Sequence, residues 1–326
     1  MIDFRTPVAP LKGYESLISH ERPVVMLGSC FSDNIGGSLR QELFDCDVNP
    51  FGTLYNPASI AGGLLDLLYG RSYTVDDLFQ HEGVWHSFAH HSAFSGTDPE
   101  EVLTRINDRL QECTEALRSA SVLIVTFGTA WIFREKASNK VVANCHKLHP
   151  DTFTREMLSV TSVVGLWKKM LREVTARYPG MKVMFTVSPI RHLADGAHGN
   201  QLSKSTLLLA VDKLCAEFPE TALYFPSYEI MMDDLRDYRF YAADMTHPSE
   251  MAIKYIYDIF KRSFMDDKTV ALTKEFAKVT AKLSHRPMTR DVAVLGRVKA
   301  ENDKMVKDVI QKYPFAEKTL MHMYNF

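Results

Sequence analysis

The chain has 326 residues, 46% of them hydrophobic and 24% charged, with a formal net charge of -2. That length and apolar content can build a sizeable core without disulfide or metal staples, and they exclude disordered, collagen-like and disulfide-scaffold proteins. The near-neutral balance argues against a general nucleic-acid binder, and five scattered cysteines with no C-x-x-C pair read as free thiols in a reducing compartment.

In chain order, Met1–Pro7 lacks the apolar core of a secretory signal. Pro23–Leu27 is the first continuous apolar run and is predicted to be a strand buried on both faces. A helix is predicted over Ser32–Phe44. Residues from about 45 to 97 are rich in Gly, Pro, Asn and aromatics, with one helical piece at Pro57–Tyr69. They read as a loop-rich insertion of the kind that builds a substrate cleft. Asp98 and Pro99 open a helix that runs to Ser119. Ser121–Phe127 is the longest β-rich run. The wider apolar stretch Val122–Phe133 is broken at Thr126, Gly128 and Thr129 and falls short of the roughly 20 residues a membrane span needs. A soluble, cytoplasmic chain with no membrane partner is therefore expected.

Thr154–Tyr178 is a predicted helix, stopped by Pro179-Gly180. Strands are predicted at Met181–Val187 and Ala222–Phe225, and helices at Ser203–Phe218 and Pro248–Phe264. This alternation implies an α/β fold: a three-layer α/β/α sandwich on a parallel central sheet with right-handed crossovers. Residues 265–326 lack β-rich runs and carry 12 Lys and Arg against 8 Asp and Glu, so a helical extension is predicted behind a domain of residues 1–264. Nothing in the sequence sets the oligomeric state.

Two short segments can carry chemistry. In Gly28-Ser29-Cys30 a strand ends, two nucleophile-type side chains follow and a helix begins, at the sheet edge where open α/β folds bind ligands. A helix N-terminus there is expected to lower a thiol pKa. In Asp244-Met245-Thr246-His247 the carboxylate can fix the imidazole tautomer, leaving the other nitrogen as a general base. His86 and His90 have helical metal-ligand spacing, but no third ligand lies near, so neither a metal nor any other cofactor is expected. His91 in the same stretch, His146 and His192 are candidate polar residues of the cleft. The aromatic stretches Tyr224–Glu229 and Asp237–Tyr241 read as packing rather than as a stacking platform for bases.

A nucleophile after the first strand, paired with Asp-x-x-His before a late helix, resembles the SGNH (GDSL-type) hydrolases. With Gly28-Ser29-Cys30-Phe31 in place of Gly-Asp-Ser, the chain more closely resembles the GSCFA family, assigned to that superfamily, although Ser32 stands where the family name has Ala. Further similar stretches are Asn49–Pro57, Thr126–Trp131, Val142–Lys147, Thr186–His192 and Asp244–Ser249, so the likeness covers about Val24 to Phe264. It implies a flavodoxin-like topology and a small-molecule or carbohydrate-like acyl substrate. Cys30 then stands at the nucleophile, with Ser29 as the second candidate, Asp244 and His247 as the remaining pair, and Gly52 as an oxyanion amide. The family block that usually supplies an Asn falls on Gly128-Thr129-Ala130-Trp131, so Thr129, Asn56 or Asn144 would have to donate instead. Loss of one such donor costs about 10²–10³ in rate. Two functions are expected: hydrolysis or transfer of an ester- or thioester-bound acyl group, or non-catalytic binding of a carbohydrate or acyl ligand.

Overall fold

The computed structural model describes residues 5–285, 288 and 291–324. The signal-peptide reading falls partly on residues 1–4, and the predicted extension partly on 286, 287, 289, 290, 325 and 326, all outside the described residues. The chain runs β1 Val24–Gly28, α1 Cys30–Gln41, β2 Cys46–Val48, α2 Pro57–Tyr69, β3 Phe79–His81, β4 Val84–His86, α3 Pro99–Ser119, β5 Val122–Phe127, β6 Trp131–Glu135, β7 Val141–Val142, β8 Phe153–Met157, α4 Val160–Arg177, β9 Lys182–Val187, α5 Gly196–Glu217, β10 Ala222–Tyr224, a short turn α6 Ser227–Glu229, α7 Glu250–Phe264, and then α8 Asp267–Ser284, α9 Val292–Lys312 and α10 Glu317–Tyr324.

Five strands form the central sheet in the order β2-β1-β5-β9-β10, all parallel. Numbered within the sheet this is 2-1-3-4-5, the flavodoxin-like order. The two-residue period of the strands sorts the apolar runs to the two faces. Val25, Leu27, Leu123, Val125 and Phe127 pack under α2, α3, α4 and α5, while Val24, Met26, Val122 and Ile124 pack under α1 and α7. Both faces are covered, which is why β1 and β5 read as continuous apolar runs. The sheet thus brings the carboxyl ends of β1, β5 and β9 to one edge, where the loops 28–30, 128–130 and 188–192 meet.

Several predicted boundaries change. The insertion is not all loop, because β2 lies within it and forms the edge of the main sheet. Three residues with Asp47 in the middle carry no usable period, and tertiary contacts define the strand. Arg40 donates to the Cys46 carbonyl at 3.1 Å and Arg109 to the Val48 carbonyl at 3.2 Å, while Arg109 pairs with the Asp47 carboxylate at 2.6 and 2.8 Å. These side chains occupy an outer edge that would otherwise be open to another strand. The helix predicted from Thr154 begins at Val160, capped by Ser159, because residues 153–157 pair antiparallel with β6 in a separate three-stranded sheet. The run Val122–Phe133 is accordingly two strands in two sheets, broken at Gly128–Ala130. The last helix of the sheet layer starts at Glu250 rather than Pro248, since the Ser249 hydroxyl caps it. At its other end α5 begins at Gly196, earlier than Ser203, and α1 begins at Cys30, earlier than Ser32.

Among the described residues no helix is long and apolar enough to cross a membrane. Helices α8 and α10 lie against the end of α1, where Leu43, Phe276, Ala316 and Leu320 form a small separate core. The Thr280 hydroxyl donates to the Gln41 carbonyl at 2.7 Å, and Lys318 pairs with Asp45 at 2.8 Å. His20 stacks on Phe44 at 3.8 Å in the same region, edge-on to Phe276.

Burial holds His20 down to about 4 and His90 to about 3, so both are neutral in the folded chain near neutral pH. In the unfolded chain they take up protons from about pH 6.5 downward. The unfolded state therefore binds more protons between about pH 6.5 and 4, and stability falls as pH drops through that window. Urea unfolding midpoints should be lower at pH 5 than at pH 7. Equal midpoints would contradict this assignment.

Candidate active site

Ser29 ends the turn after β1 as the N-cap of α1. Its hydroxyl accepts from the Phe31 amide at 3.4 Å, its own amide donates to the Thr126 carbonyl at 3.2 Å, and it is 0% exposed. That corrects its standing as a second nucleophile: a capping oxygen sealed from solvent cannot meet a substrate. Cys30 follows as the first residue of the helix and is half-buried. Its Sγ lies 3.8 Å from His247 Nε2. Burial, together with the Asp33 carboxylate, pushes the thiol above its ordinary range, against the Cys30 and Phe31 amides and Lys204, which favour the thiolate. The expectation of a depressed thiol is therefore reversed. Desolvation outweighs the helix N-terminus, and Cys30 rests as a thiol that needs a base.

The base is built in a tight turn before α7. Met245 takes a left-handed conformation, φ 58°, which folds the chain back so that Asp244 and His247 face each other. Asp244 Oδ1 accepts from the Thr246 and His247 amides at 2.9 Å each, and Oδ2 lies 2.5 Å from His247 Nδ1. These amides, with the His247 ring, hold the Asp244 carboxyl far below the usual carboxylate range. A carboxylate only accepts, so Nδ1 carries a ring proton, and Nε2 faces the Cys30 sulfur. Both side chains are about half exposed, 50% for Asp244 and 48% for His247, so the pair opens to solvent. Cys30, His247 and Asp244 come from opposite ends of the sequence and form one line of contacts.

The remaining candidates divide. His192 stands at the site. Its ring meets Tyr55 edge-on at 5.8 Å, and its buried Nε2 has no hydrogen-bond partner among the described residues. Burial, then Lys204 and His247, hold it down to about 4, so it is neutral there. His91 lies next to the 49–53 turn, donating its amide to the Phe51 carbonyl at 2.8 Å while Nδ1 accepts from the Ala93 amide at 3.2 Å.

Gly52 was expected to offer its amide to an oxyanion, but that amide donates to the Asn49 carbonyl at 2.8 Å. With φ 75° and His91 Cβ packed against the missing side-chain position, glycine is required there for the turn itself. Asn56 caps α2, accepting from the Ser59 amide at 2.8 Å and donating to its hydroxyl at 3.0 Å. The Thr129 hydroxyl is engaged with Ser203 at 3.0 Å and with the Trp131 amide at 3.2 Å. Asn144 accepts from the His146 amide at 2.9 Å, and His146 Nε2 meets the Ser87 carbonyl at 2.8 Å. These last two belong to a cluster around β3 and β4, where His146 packs on His86 at 4.6 Å. His86 and His90 turn to different partners, Ser95 and Ser87.

Four residues at the site escaped the sequence reading. Asn49 accepts from the Gly28 amide and donates to Asp33, both at 2.8 Å, and so ties β1 to the third residue of α1 beyond Cys30. The Tyr55 carbonyl accepts from the Gly128 and Thr129 amides at 2.8 and 2.9 Å, which sets the wall beside Ser29. Asp33 is the third, one helical turn from Cys30. Asn49 and Tyr55 lay within a family-like stretch. The fourth, Lys204 on α5, carried no sequence signal.

The family described as the GSCFA family matches residues 23–260. No curated protein sequence matches the chain. Among solved structures, the chain is similar to a carbohydrate esterase family 2 enzyme with a carbohydrate-binding domain from Corynascus thermopiles (Myceliophthora fergusii), at 11% identity and a TM-score of 0.39, covering 79% of this chain and 68% of that one. It is also similar to a family two carbohydrate esterase from Clostridium thermocellum in complex with cellohexaose, at 13% identity and a TM-score of 0.37, covering 78% and 66%. An acetyl xylan esterase from the rumen bacterium Butyrivibrio proteoclasticus is similar at 10% identity and a TM-score of 0.38, covering 75% and 63%. The chain thus spans about two thirds of the length of these proteins.

Proposed function

The chain belongs to the GSCFA family, and we propose that it is an SGNH-type hydrolase or acyltransferase that works through an acyl-Cys30 intermediate. The observation that carries this reading is the line Cys30 Sγ, His247 Nε2, His247 Nδ1, Asp244 Oδ2, at 3.8 and 2.5 Å. Nε2 takes the thiol proton as Sγ attacks the acyl carbon, and the Asp244 carboxylate offsets the imidazolium that forms. The negative carbonyl oxygen meets the Cys30 amide at the N-terminus of α1, where the helix dipole favours an anion. His247 returns the proton to the departing alcohol or thiol. It then deprotonates a water, or an acceptor hydroxyl, that releases the acyl group and restores the thiol.

The half-exposed Asp244–His247 pair beside Cys30 suits a small acyl group such as acetyl on a hydroxylated, sugar-like partner. One observation favours the second reading, a non-catalytic binder of an acyl or carbohydrate ligand. The Gly52 amide and the Thr129 and Asn56 side chains are engaged elsewhere, which leaves few donors for an oxyanion.

p-Nitrophenyl acetate separates the two. A hydrolase gives a burst of p-nitrophenol and an acetyl group on Cys30 by mass spectrometry. A binder gives neither. Asp244→Asn should lower kcat by about 10²–10³, because an amide donor can hold the wrong tautomer of His247. The half-exposed setting, where water can replace part of the carboxylate's role, keeps the loss below that of a buried triad. Single-turnover deacetylation rates check this.

A further inference from the structure

We infer that Lys204 is a positioning residue for Cys30: its ammonium ties together the two loops that wall the nucleophile and sets a buried positive charge behind them. The inference rests on the reading of Cys30 as the nucleophile. Lys204 is 1% exposed, and Nζ donates to the Gly128 carbonyl at 2.6 Å and to the Ser188 carbonyl at 2.7 Å. Those carbonyls lie just beyond the ends of β5 and β9. A side chain on Gly128 would meet the Tyr55 carbonyl oxygen at 3.1 Å and His192 Nε2 and Ser29 Cβ at 3.4 Å, so Gly128 touches the nucleophile turn directly. Ser188 leads to Arg191, whose amide donates to the Thr246 carbonyl at 3.1 Å inside the Asp244–His247 turn. One side chain therefore bridges the loop beside Ser29-Cys30 and the loop that supports His247.

The charge needs its own reason. A buried ammonium is costly, and an apolar side chain of similar shape is often no less stable in such a place. Among the described residues no carboxylate pairs with Lys204. The charged and titratable groups that act on it are Arg191 and His192 from the loop after β9, Cys30 from α1, and, at 5.8 Å, the ring of Tyr228 on α6. Of these, the Tyr228 ring and Cys30 favour the cation, and in return Lys204 favours the Cys30 thiolate. Burial, aided by Arg191, lowers Lys204 to about 7, so its charge responds to what forms in front of it.

The test uses the full chain with Lys204→Met, which keeps the bulk, and Lys204→Gln, which keeps a donor without charge. Circular dichroism reports the fold. Iodoacetamide labelling of Cys30 across pH, read by mass spectrometry, requires no turnover. In both variants Cys30 labelling at and below about pH 7, where Lys204 carries its charge, should slow by about tenfold. In p-nitrophenyl acetate hydrolysis kcat should fall with KM little changed. A folded Lys204→Gln whose labelling profile superimposes on the parent overturns the inference. A shifted profile in a chain that never turns over p-nitrophenyl acetate supports the placement of Lys204 and counts against the hydrolase reading alone. If neither variant folds, the NMR titration of Lys204 is compared after Cys30 modification by iodoacetate, which adds an anion, and by iodoacetamide, which does not. The anionic adduct should raise the Lys204 midpoint by about one pH unit, and coincident curves overturn the inference.

Discussion

Cys30→Ala should abolish acyl turnover while leaving the fold unchanged, with a loss in kcat of about 10⁴–10⁶, the range for removing a nucleophile that works as a unit with its base. The residue is half-buried at the start of α1 and its sulfur makes one notable polar contact, with His247 at 3.8 Å, so truncation leaves no partner buried and unsatisfied. Cys30→Ser should recover little of this activity. Its oxygen, on a shorter bond, would sit beyond hydrogen-bond distance of Nε2, and the buried Ser29 hydroxyl cannot substitute. Cys215→Ala, on the far part of α5, should leave the rate unchanged. The measurement is single-turnover acetyl transfer from p-nitrophenyl acetate, with intact-mass analysis of the adduct. A Cys30→Ala protein that still forms a covalent acetyl adduct at the parent rate would remove Cys30 from the mechanism.

Gly28→Ala should be the most damaging single-methyl change in the molecule for stability. Gly28 has φ 146°, a conformation side chains rarely adopt, and a Cβ there would press into the Thr126 carbonyl oxygen while lying 2.9 Å from Thr126 Cβ. The obstacle is the backbone of the neighbouring central strand, paired residue for residue with β1, so it cannot move aside without shearing the sheet. A cost of about 4 kcal/mol or more is expected, the scale reached when overpacking combines with backbone strain. Urea unfolding checks it, and a change under about 1 kcal/mol would contradict the close approach. Activity should fall further than stability alone accounts for. Thr126 also accepts the Ser29 amide and, through its hydroxyl, the Ser32 side chain at 2.8 Å. Displacing it therefore moves Cys30 away from His247.

The comparison of sequence and structure divides by the range of the forces involved. The runs Pro23–Leu27, Ser121–Phe127 and Met181–Val187 declared buried parallel strands, because burial on both faces favours a nearly continuous apolar run. Pro57–Tyr69 and Pro99–Ser119 were predicted with the bounds observed, the second from its Asp98-Pro99 start, while the Asn56 cap of the first emerged only in the structure. Asp244-x-x-His247 was legible as well, because a carboxylate and an imidazole three residues apart meet within one turn. By contrast, β2 and β8 are defined by partners distant in the chain: Arg109 and β1 for the one, β6 for the other.

The same division runs through the site. That Cys30 and His247 could belong together was readable from the order of motifs. That Ser29 is sealed, that the Gly52 amide is already engaged, and that the thiol is raised rather than lowered were decided only by packing. Each depends on desolvation and on hydrogen-bond geometry among segments far apart in sequence. Lys204 is the clearest case. As a lysine in a helix it reads as a solvated residue, and only the closing of β5 and β9 beneath α5 turns it inward. The sequence by itself determined the apolar central strands, the helix that opens at Asp98-Pro99 and the residue types able to react, because those follow from local period and local hydrogen bonding. The tertiary structure alone decided which reactive groups are reachable and how they are charged, because solvent exclusion is a property of the assembled core.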